Sequence, residues 1–307
     1  MDKVVLAVDL GGTNIRMAAV KSDGTILHHA KRPTPAAFSP DQLLELTTIL
    51  VDECSAAISS DSAVTAIAFA PPANVGPDGV LRNLPNLPLL DGYDLRSALM
   101  QRFGMPATVE NDATAAAIGE SWLGASKGIQ NSIMVTLGTG VGGGIIIDGT
   151  PLRGPDGGAG KIGHIAVEPD GHPCGCGSRG CVEQYASATA IERMASEAGL
   201  TTENSAEVYD AYLNGDERAA TVFKSMGRYL GIMLGGLVNA LNPEIIVIGG
   251  GASAAWDAFH EATRHEIDYR AFPEPAKRAR LVRSQLGDNA GILGAARSAF
   301  VGFESRL

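Results

Sequence analysis

Several features are scarce or missing in this sequence, and each absence narrows the class of protein. Basic residues are outnumbered, with 24 Lys and Arg against 34 Asp and Glu, so the formal net charge is -10 at pH 7. This balance argues against the positive surface that nucleic-acid binding requires. No apolar run is long enough to span a bilayer, and the N-terminus opens with strand-like residues rather than a signal peptide. We therefore expect a cytoplasmic protein that binds neither membrane nor nucleic acid.

Cysteine is also rare, yet three of the four cysteines lie close together. Cys174, Cys176 and Cys181 follow His164 in a glycine-rich stretch, and together they supply the four ligands of a closed tetrahedral zinc site. Cys174 and Cys176 are too close in sequence for an unstrained disulfide. A closed site leaves no open position for chemistry, so the expected zinc is structural. His172 is an alternative histidine ligand, although it would have to fold back onto its neighbour Cys174.

The order of predicted elements indicates an α/β protein that is long enough for two domains. The predicted strands cover residues 4–8, 15–20, 25–30, 64–70, 107–109, 132–137, 144–147 and 245–248. The predicted helices begin near Asp41 and then cover residues 94–103, 113–123, 252–265 and 290–300, with mostly helix between the cysteines and residue 241. A C-terminal helix that packs back on the first half predicts one domain of residues 1–112 and 290–307. The second domain then comprises residues 113–289, with the zinc loop at 164–183.

A first glycine turn, between two predicted strands, is a candidate phosphate-binding loop. Gly11 and Gly12 let backbone amides approach an anion without side-chain bulk, and Thr13 and Asn14 follow them. The Thr13 hydroxyl adds another donor. Asp9, at the end of the preceding strand, is a candidate ligand for magnesium, either directly or through water.

A second glycine turn contains Gly138, Thr139 and Gly140 and formally matches the dinucleotide-binding pattern G-x-G-x-x-G. That pattern requires a following helix, whereas residues 145–147 continue as a strand, which disfavours an NAD-dependent enzyme. One such turn alone is most often an ordinary hairpin. Two of them, with a late strand that ends before Gly250 and Gly251, favour two phosphate clamps and a nucleoside shelf in a phosphotransferase built from two similar halves.

The run Glu110-Asn111-Asp112 lies at a predicted strand-to-helix junction, where Asp and Asn are most often helix N-caps. The functional alternative is that Asp112 takes the proton from a sugar hydroxyl as it attacks a γ-phosphate, while Asn111 binds another hydroxyl. Glu183 directly follows the cysteine run and has no evident structural role in the sequence. It is either solvated surface or a further hydroxyl ligand.

These motifs resemble the ROK family of sugar kinases and repressors, within the superfamily of hexokinase, actin and the heat-shock ATPases. The resemblance rests on Asp9-Leu-Gly-Gly-Thr-Asn-Ile-Arg16, Glu110-Asn-Asp-Ala113, Leu137-Gly-Thr-Gly-Val-Gly-Gly-Gly144, Gly163-His164 and Cys174-Gly-Cys-Gly-Ser-Arg-Gly-Cys-Val-Glu183. It implies an actin/hexokinase-like (ribonuclease H-like) fold of two α/β domains with an interdomain cleft. It also implies phosphate transfer from ATP, with magnesium, to a hexose hydroxyl, and a homodimer.

The resemblance further assigns roles to individual residues. Asp112 is the implied base, Asn111 and Glu183 are implied sugar contacts, and His164 is implied both to bind zinc and to lie beside the sugar. Glucose is the expected substrate because glucokinases are the common case in the family. N-acetylmannosamine, N-acetylglucosamine, mannose, fructose and allose stay open, as do polyphosphate as donor and a non-catalytic sugar sensor. ROK repressors carry an N-terminal DNA-binding module, and the position of Asp9 so near the start argues against one here.

The sequence departs from the family pattern at two places. Lys161 stands three residues before His164, where the family usually has a Glu that contacts sugar hydroxyls, so the charge is reversed. The family usually has glycines on either side of the proline that follows the fourth strand. This chain instead reads Phe69-Ala-Pro-Pro72-Ala73 at that place. Both changes affect the expected sugar pocket and leave the phosphate loops, the base and the cysteine cluster unchanged.

Overall fold

A computed structural model describes residues 1–35, 38–84 and 87–304 of the chain. Contacts divide the chain into two compact units: Met1–Gly128, Pro151–Ala159 and Asp288–Leu307 form the first, and Ile129–Thr150 and Gly160–Gly287 form the second. The helix that follows residue 111 and the segment Pro151–Ala159 therefore belong to the first unit by contacts, whereas the sequence analysis assigned them to the second domain. Residues 305–307 of the expected first domain lie outside the described residues.

The predicted strands and helices appear in the structure in the expected order, with several short additions. The strands are β1 (Asp2–Leu10), β2 (Asn14–Lys21), β3 (Ile26–Pro33), β4 (Ser62–Ala70), β5 (Asn74–Val75), β6 (Leu81–Arg82), β7 (Ala107–Val109), β8 (Ser132–Leu137), β9 (Val141–Ile147), β10 (Thr150–Pro151), β11 (Ile245–Gly249) and β12 (Arg280–Arg283). The α-helices are α1 (Pro40–Ala56), α2 (Leu95–Phe103), α3 (Asp112–Leu123), α4 (Glu183–Ala186), α5 (Ala188–Glu197), α6 (Ser205–Leu213), α7 (Glu217–Leu241), α8 (Trp256–Arg270), α9 (Pro273–Arg278) and α10 (Ala290–Glu304). Short 3-10 helices cover Pro88–Leu90, Ile162–His164, Gly251–Ala255 and Gly287–Asn289.

The two units contain five-stranded sheets with the same order of strands. The first sheet runs β3-β2-β1-β4-β7 and the second runs β10-β9-β8-β11-β12. In the first sheet β1, β2 and β3 form an antiparallel meander, and β1, β4 and β7 are parallel. In the second sheet β8 and β9 are antiparallel, and β8, β11 and β12 are parallel. The prediction of an α/β chain built from two similar halves is therefore confirmed.

One strand in the parallel part of each sheet, β1 in the first and β11 in the second, is buried because helices cover this part of the sheet. Every residue from Val4 to Val8 in β1 is fully buried, as expected for a strand that reads as a continuous apolar run. In β11, the residues from Ile245 to Ile248 are at most 1% exposed. The prediction of buried strands at these two places is confirmed.

Local sequence signals set the ends of several helices. At α1 the hydroxyl of Ser39 accepts the backbone N–H of Gln42, and the Gln42 side chain accepts the backbone N–H of Ser39. This reciprocal capping box, with Pro40 at the first helical position, starts the helix just before Asp41, where the sequence predicted it. α2 begins after Asp94, whose side chain accepts the Ser97 N–H, and it ends at Gly104 in the left-handed conformation.

Glycines allow the closest helix contacts in each unit. On α7, Gly227 and Gly231 face α8, and a Cβ at either position would meet main-chain atoms of that helix at Phe259 or Thr263. Because the two glycines are four residues apart, they form one groove on the surface of α7.

Among the described residues, no helix combines the length and apolar character needed to cross a membrane.

In the first unit α3 and α10 approach each other through a pair of glycines. A Cβ on Gly119 would overlap the carbonyl oxygen of Ala290, and a Cβ on Gly294 would overlap the carbonyl oxygen of Ala115. α10 also packs on β1 and β4. The C-terminal helix therefore belongs to the core of the first unit.

We predict that Gly294→Ala lowers the free energy of unfolding by about 1–3 kcal/mol, because the added methyl group must push two helix backbones apart. Gly236→Ala is the matched control: Gly236 is exposed on α7, and an added Cβ there meets no atom within 4 Å. We expect the control to keep or gain stability, since Ala favours a helix by about 0.5–1 kcal/mol over Gly. Urea denaturation measures both variants, and equal stabilities would contradict the packing argument.

Candidate active site and metal centre

The chemically distinctive residues of the first unit lie at one edge of its sheet. Parallel strands β1, β4 and β7 end at the same edge, and this is the edge where open α/β sheets bind ligands. Asp9 lies near the end of β1 and pairs with Ala70, the last residue of β4. The next residue, Pro71, accepts the backbone N–H of Asp112 at 3.1 Å. The structure thus brings Asp9 and Asp112 to the same edge.

Asn111, and not Asp112, caps helix α3. The Asn111 Oδ1 accepts the Thr114 N–H at 3.0 Å, whereas Asp112 is the first helical residue. The Asp112 Oδ1 accepts the Ala113 N–H and one hydrogen of the Asn111 Nδ2, both at 2.8 Å. The other Nδ2 hydrogen goes to the carbonyl oxygen of Ala73 at 3.1 Å. Asn111 therefore provides the cap of α3, and the Asp112 carboxylate accepts the Ala113 N–H in the first turn of the helix.

The carboxylate of Asp9 is largely buried and is neutralised by an arginine. Arg16, its cross-strand partner on β2, donates a charge-assisted hydrogen bond to Asp9 and also lies 3.3 Å from the carboxylate of Asp288. Burial raises the pKa of Asp9 above its usual value, and the charge and hydrogen bond of Arg16 oppose that shift only in part. A bound cation would offset the same desolvation.

The first glycine turn connects β1 to β2 and presents part of its backbone to solvent. The Gly11 N–H is already used, because it donates to the Asn14 carbonyl at 2.8 Å. Gly12 and Thr13 are exposed, and a Cβ on Gly12 would meet nothing within 4 Å. Open backbone of this kind suits the approach of an anion at Gly12 and Thr13, more than at Gly11.

The second glycine turn connects β8 to β9, as predicted, so no helix follows it and the dinucleotide-binding pattern is a false match. The turn is held by its neighbours in the second unit. The Gly138 carbonyl accepts the Ala188 N–H, and the Thr139 carbonyl accepts the Thr189 hydroxyl. A Cβ on Gly140 would overlap the carboxylate of Glu183.

Gly250 lies beside the end of β8, where the second glycine turn begins. Its φ is +82°, and a Cβ would overlap the main chain of Leu137. Only glycine fits at this position. Gly251 starts the 3-10 helix Gly251–Ala255, and a Cβ there would meet nothing within 4 Å. The structure therefore brings Gly250 and Gly251 next to the turn that contains Gly138 and Thr139.

The three clustered cysteines and His164 converge as the spacing predicts. Their four ligand atoms lie within 4.8 Å of one another. The Cys174 Sγ is 3.6 Å from the His164 Nδ1, and the Cys176 Sγ is 3.6 Å from the Cys181 Sγ. Two sulfur ligands of a tetrahedral zinc ion, each about 2.3 Å from the metal, lie about 3.8 Å apart. The donor set and its spacing therefore fit one zinc ion, with Nδ1 as the histidine ligand.

His172 does not take part in this cluster. Its Nε2 lies 2.9 Å from the Arg193 guanidinium, and its backbone N–H donates to the Tyr185 hydroxyl at 3.0 Å. The ring of Tyr185 stacks on Tyr229 of α7, with 4.1 Å between the centroids. The alternative histidine ligand is therefore not supported, and His172 instead helps to hold the cysteine loop on the core of the second unit.

The thiols of the cluster have unequal proton affinities. Burial raises the pKa of Cys181 to about 12, whereas a hydrogen bond from the backbone of Ser178 lowers that of Cys176. Cysteine binds a metal ion as thiolate, so metal binding at this cluster has to displace the proton of Cys181.

Glu183 has a structural role that the sequence analysis did not find. Its Oε2 accepts the Val141 N–H at 3.0 Å, and its Oε1 lies 3.9 Å from the Cys174 Sγ. The residue is only partly exposed, and both of its carboxylate oxygens have neighbours within the second unit, which argues against the interpretation as solvated surface. Glu183 joins the second glycine turn to the cysteine cluster.

Lys161 directly precedes a single 3-10 turn, Ile162–His164, which His164 ends, and both residues are exposed. Gly163, between them, is buried, and a Cβ there would overlap the carbonyl oxygen of Val141. This close approach anchors the turn to the start of β9. The Nδ1 of His164 faces the cysteines, 3.6 Å from the Cys174 Sγ. The Nε2 therefore lies on the opposite side of the ring.

The buried carboxylate of Glu110 has a partner that the sequence does not indicate. It directly precedes Asn111 and is 7% exposed. Arg153 donates to the Glu110 Oε2 from Nε at 2.8 Å and from Nη2 at 2.6 Å. No local pattern predicts a contact between residues so far apart in the chain.

These features define an α/β protein with duplicated sheets, a glycine turn after the first strand of each sheet, and a Cys3His cluster in the second unit. The sequence matches the ROK family over residues 5–300. A glucokinase of Halalkalibacterium halodurans is 37% identical and is aligned over 95% of this chain and 94% of its own length.

Solved structures give the same result. A ROK family glucokinase from Streptomyces griseus, in complex with glucose and AMPPNP, is 32% identical, with a TM-score of 0.83 over 96% of this chain and 98% of that chain. A ROK hexokinase from Thermus thermophilus is 32% identical, with a TM-score of 0.84 over 98% of this chain and 99% of that chain. The chain belongs to the ROK family, which confirms the resemblance and the predicted fold class.

We predict one zinc ion per chain, with a mainly structural role. Structural zinc in small peptides contributes about 10–16 kcal/mol of apparent binding free energy, so Cys176→Ser should abolish stoichiometric zinc and lower the thermal midpoint of unfolding. Cys54→Ser is the control, because Cys54 is buried in α1 outside the cluster, with its Sγ 4.0 Å from the carbonyl of Met17. Metal analysis of the purified proteins measures the zinc. Clearly substoichiometric zinc in an active wild-type protein would rule the site out.

Proposed function

We propose that the protein is a glucokinase, which transfers the γ-phosphoryl group of ATP to glucose and forms glucose 6-phosphate. Membership of the ROK family over nearly the whole chain supports an ATP-dependent sugar kinase. The particular sugar is supported by relatives named glucokinase at 33–37% identity and by the glucose and AMPPNP complex of the similar structure. The observation in this chain that carries the proposal is that Asn111 caps α3 and orients Asp112.

Asp112 is the proposed general base. As the sugar hydroxyl attacks the γ-phosphate, a carboxylate within hydrogen-bond reach removes its proton. The two hydrogen bonds to Oδ1 hold the carboxylate in one orientation. A base held in this way pays little conformational entropy at the moment of reaction.

The phosphate groups and magnesium are proposed to bind at the glycine turns and Asp9. The exposed backbone at Gly12 and Thr13 and the segment from Gly138 to Gly140 are the proposed phosphate loops, and Gly250 and Gly251 the proposed nucleoside shelf. Asp9 offers the hard oxygen donors that magnesium prefers, and would hold the ion directly or through water. When bound, the ion neutralises charge on the phosphate oxygens.

Asn111, His164, Glu183 and Lys161 are the proposed sugar contacts. All hydrogen-bonding positions of the Asn111 amide are used within the first unit, so a sugar hydroxyl would exchange with one of those bonds. In Glu183 one oxygen is committed to the Val141 N–H. The His164 Nε2 is the ring nitrogen that zinc would not occupy.

A coupled ADP-release assay tests the function directly. The panel contains glucose, mannose, fructose, allose, N-acetylglucosamine and N-acetylmannosamine, with ATP and polyphosphate compared as donors. We expect the highest kcat/KM with a hexose and ATP. Sugar binding, detected by calorimetry, without turnover of any sugar would instead support a sugar-sensing protein. Homodimer formation and a cytoplasmic location stay predictions.

We predict that Asp112→Asn binds ATP and sugar normally and lowers kcat by roughly 10²- to 10⁴-fold, the usual contribution of a positioned general base. Stability should not change, because Asn111 remains the cap and an amide oxygen can accept the same two hydrogen bonds. Asp41→Asn is the matched control, as Asp41 is an acidic residue in the first turn of α1. An unchanged kcat in Asp112→Asn would leave Asp112 without a catalytic role.

We predict that the wild-type protein has a high KM for glucose or prefers another hexose, and that Lys161→Glu lowers the KM for glucose. The ammonium of Lys161 donates hydrogen bonds and accepts none, and an unsatisfied buried hydroxyl costs about 1–3 kcal/mol. This corresponds to roughly one to two decades in KM if only uniform binding changes. The KM for ATP should change less.

Lys224→Glu provides the control for the charge change, because Lys224 is exposed on α7. Initial rates across a range of glucose concentrations measure the effect in each variant. Identical KM values for glucose in the wild-type protein and Lys161→Glu would show that the side chain lies in solvent and does not determine the sugar.

A further inference from the structure

Glu110 is connected to the proposed base by a continuous series of hydrogen bonds. Arg153 donates twice to the Glu110 Oε2, and the Glu110 Oε1 accepts the backbone N–H of Asn111 at 3.2 Å. The Nδ2 of Asn111 then donates to the Asp112 Oδ1 at 2.8 Å. The series therefore runs from the Arg153 guanidinium to the Asp112 carboxylate through residues of the first unit alone.

Arg153 belongs to a short segment, Pro151–Ala159. Besides the ion pair of Arg153, this segment makes a second close contact with the first unit. Gly157 has a φ of +75°, and a Cβ there would overlap the carbonyl oxygen of Val75. Within the segment, the Ala159 N–H donates to the Arg153 carbonyl at 3.0 Å. These contacts fix the backbone of Arg153, so its guanidinium reaches Glu110 from a defined position.

Stability alone does not account for this ion pair. The carboxylate of Glu110 is 9% exposed, and the desolvation of a buried charge often outweighs the gain from its partner. The same unit contains a second two-bonded pair, Arg82 with Asp78, whose arginine is about equally exposed, 44% against 46% for Arg153. Its carboxylate is 49% exposed, and Asp78 is not linked to a proposed site residue. The two pairs therefore differ in two respects. The Glu110 carboxylate is buried and is linked to a proposed site residue, whereas the Asp78 carboxylate is half-exposed and is not.

We propose that Arg153 is a positioning residue, which acts through Glu110 to hold the Asn111–Asp112 turn in the geometry required for proton removal. This inference rests on the proposed function of Asp112. Arg153 and Glu110 contact neither sugar nor phosphate in this scheme. Their loss therefore displaces the base and leaves the glycine turns that would bind the nucleotide unchanged.

The test uses the full-length protein with Arg153→Met, Arg153→Lys and the double variant Glu110→Gln/Arg153→Met. The double variant replaces both charges, which avoids an unpaired buried carboxylate. We expect kcat for the preferred sugar to fall roughly tenfold to hundredfold in Arg153→Met, as expected for small displacements of catalytic groups. The KM for ATP should stay within about twofold. The double variant should lose no more than Arg153→Met does, because both disrupt one network, and Arg153→Lys should recover part of the rate.

Arg82→Met is the matched control and should keep the wild-type kcat. Hydrogen exchange of the peptide that contains Asn111 gives a readout that does not depend on activity: exchange should become faster in Arg153→Met and stay unchanged in Arg82→Met. Wild-type kcat in folded Arg153→Met and in the double variant would overturn the positioning role, as would a double variant that unfolds where the wild type is folded.

A wild-type protein that phosphorylates no sugar would refute the proposed function and, with it, the catalytic meaning of the network. The exchange measurement would still decide whether Arg153 orders the Asn111 segment. The two failures are therefore distinguishable. Active wild-type protein with slow, unchanged exchange in Arg153→Met would count against the positioning role alone.

Discussion

The side-chain amide of Asn111 is the interaction on which the proposed catalytic edge depends. It donates to the Ala73 carbonyl and to the Asp112 carboxylate, and it accepts from the backbone and hydroxyl of Thr114. One residue thereby joins the segment after β4, the start of α3 and the proposed base. Since every donor and acceptor of the amide is used, its orientation is fixed by the network, and a rotated amide would lose all of these bonds. Glu110 and Arg153 extend the same network toward the surface.

The second unit depends on close backbone approaches rather than on one polar side chain. Gly140 lies against Glu183, Gly163 against the Val141 carbonyl, and Gly250 against Leu137. Each contact excludes a Cβ, so the glycines bring the turn after β8, the 3-10 turn that ends at His164 and the end of β11 close to one another. The cysteine cluster lies beside this arrangement, and Glu183 connects the two. A zinc ion at the cluster would add to the contacts that already hold this loop, such as those of His172 with Tyr185 of α4 and Arg193 of α5.

The two units share an order of strands and differ in their chemistry. The first places carboxylates at the carboxyl edge of its sheet, and burial raises the pKa of Asp9 there, as is common at functional sites and in buried ion pairs. Both units have a glycine turn after the first strand of the sheet, and the second unit adds donors for a metal beside its turn. These differences agree with the proposed roles of the residues, with Asp112 as the base and the exposed glycine turns as phosphate loops. The duplication thus supplies two similar frameworks for different tasks.

The sequence by itself determined the buried strands, most helices and the three cysteines of the cluster, because apolar periodicity and short ligand spacings are local properties of the chain. The structure decided that His164 and not His172 lies with them. It also excluded the dinucleotide-binding interpretation, since the residues after Gly140 continue as a strand. Short elements such as β10 and β12 have too few residues for a periodic signal. Only the tertiary structure decided that Asn111 caps α3, that Glu183 holds the Val141 N–H, and that Arg153 reaches Glu110. The last two are contacts between residues far apart in the chain, and the first depends on an exact helix start, which residue patterns leave open by one or two positions.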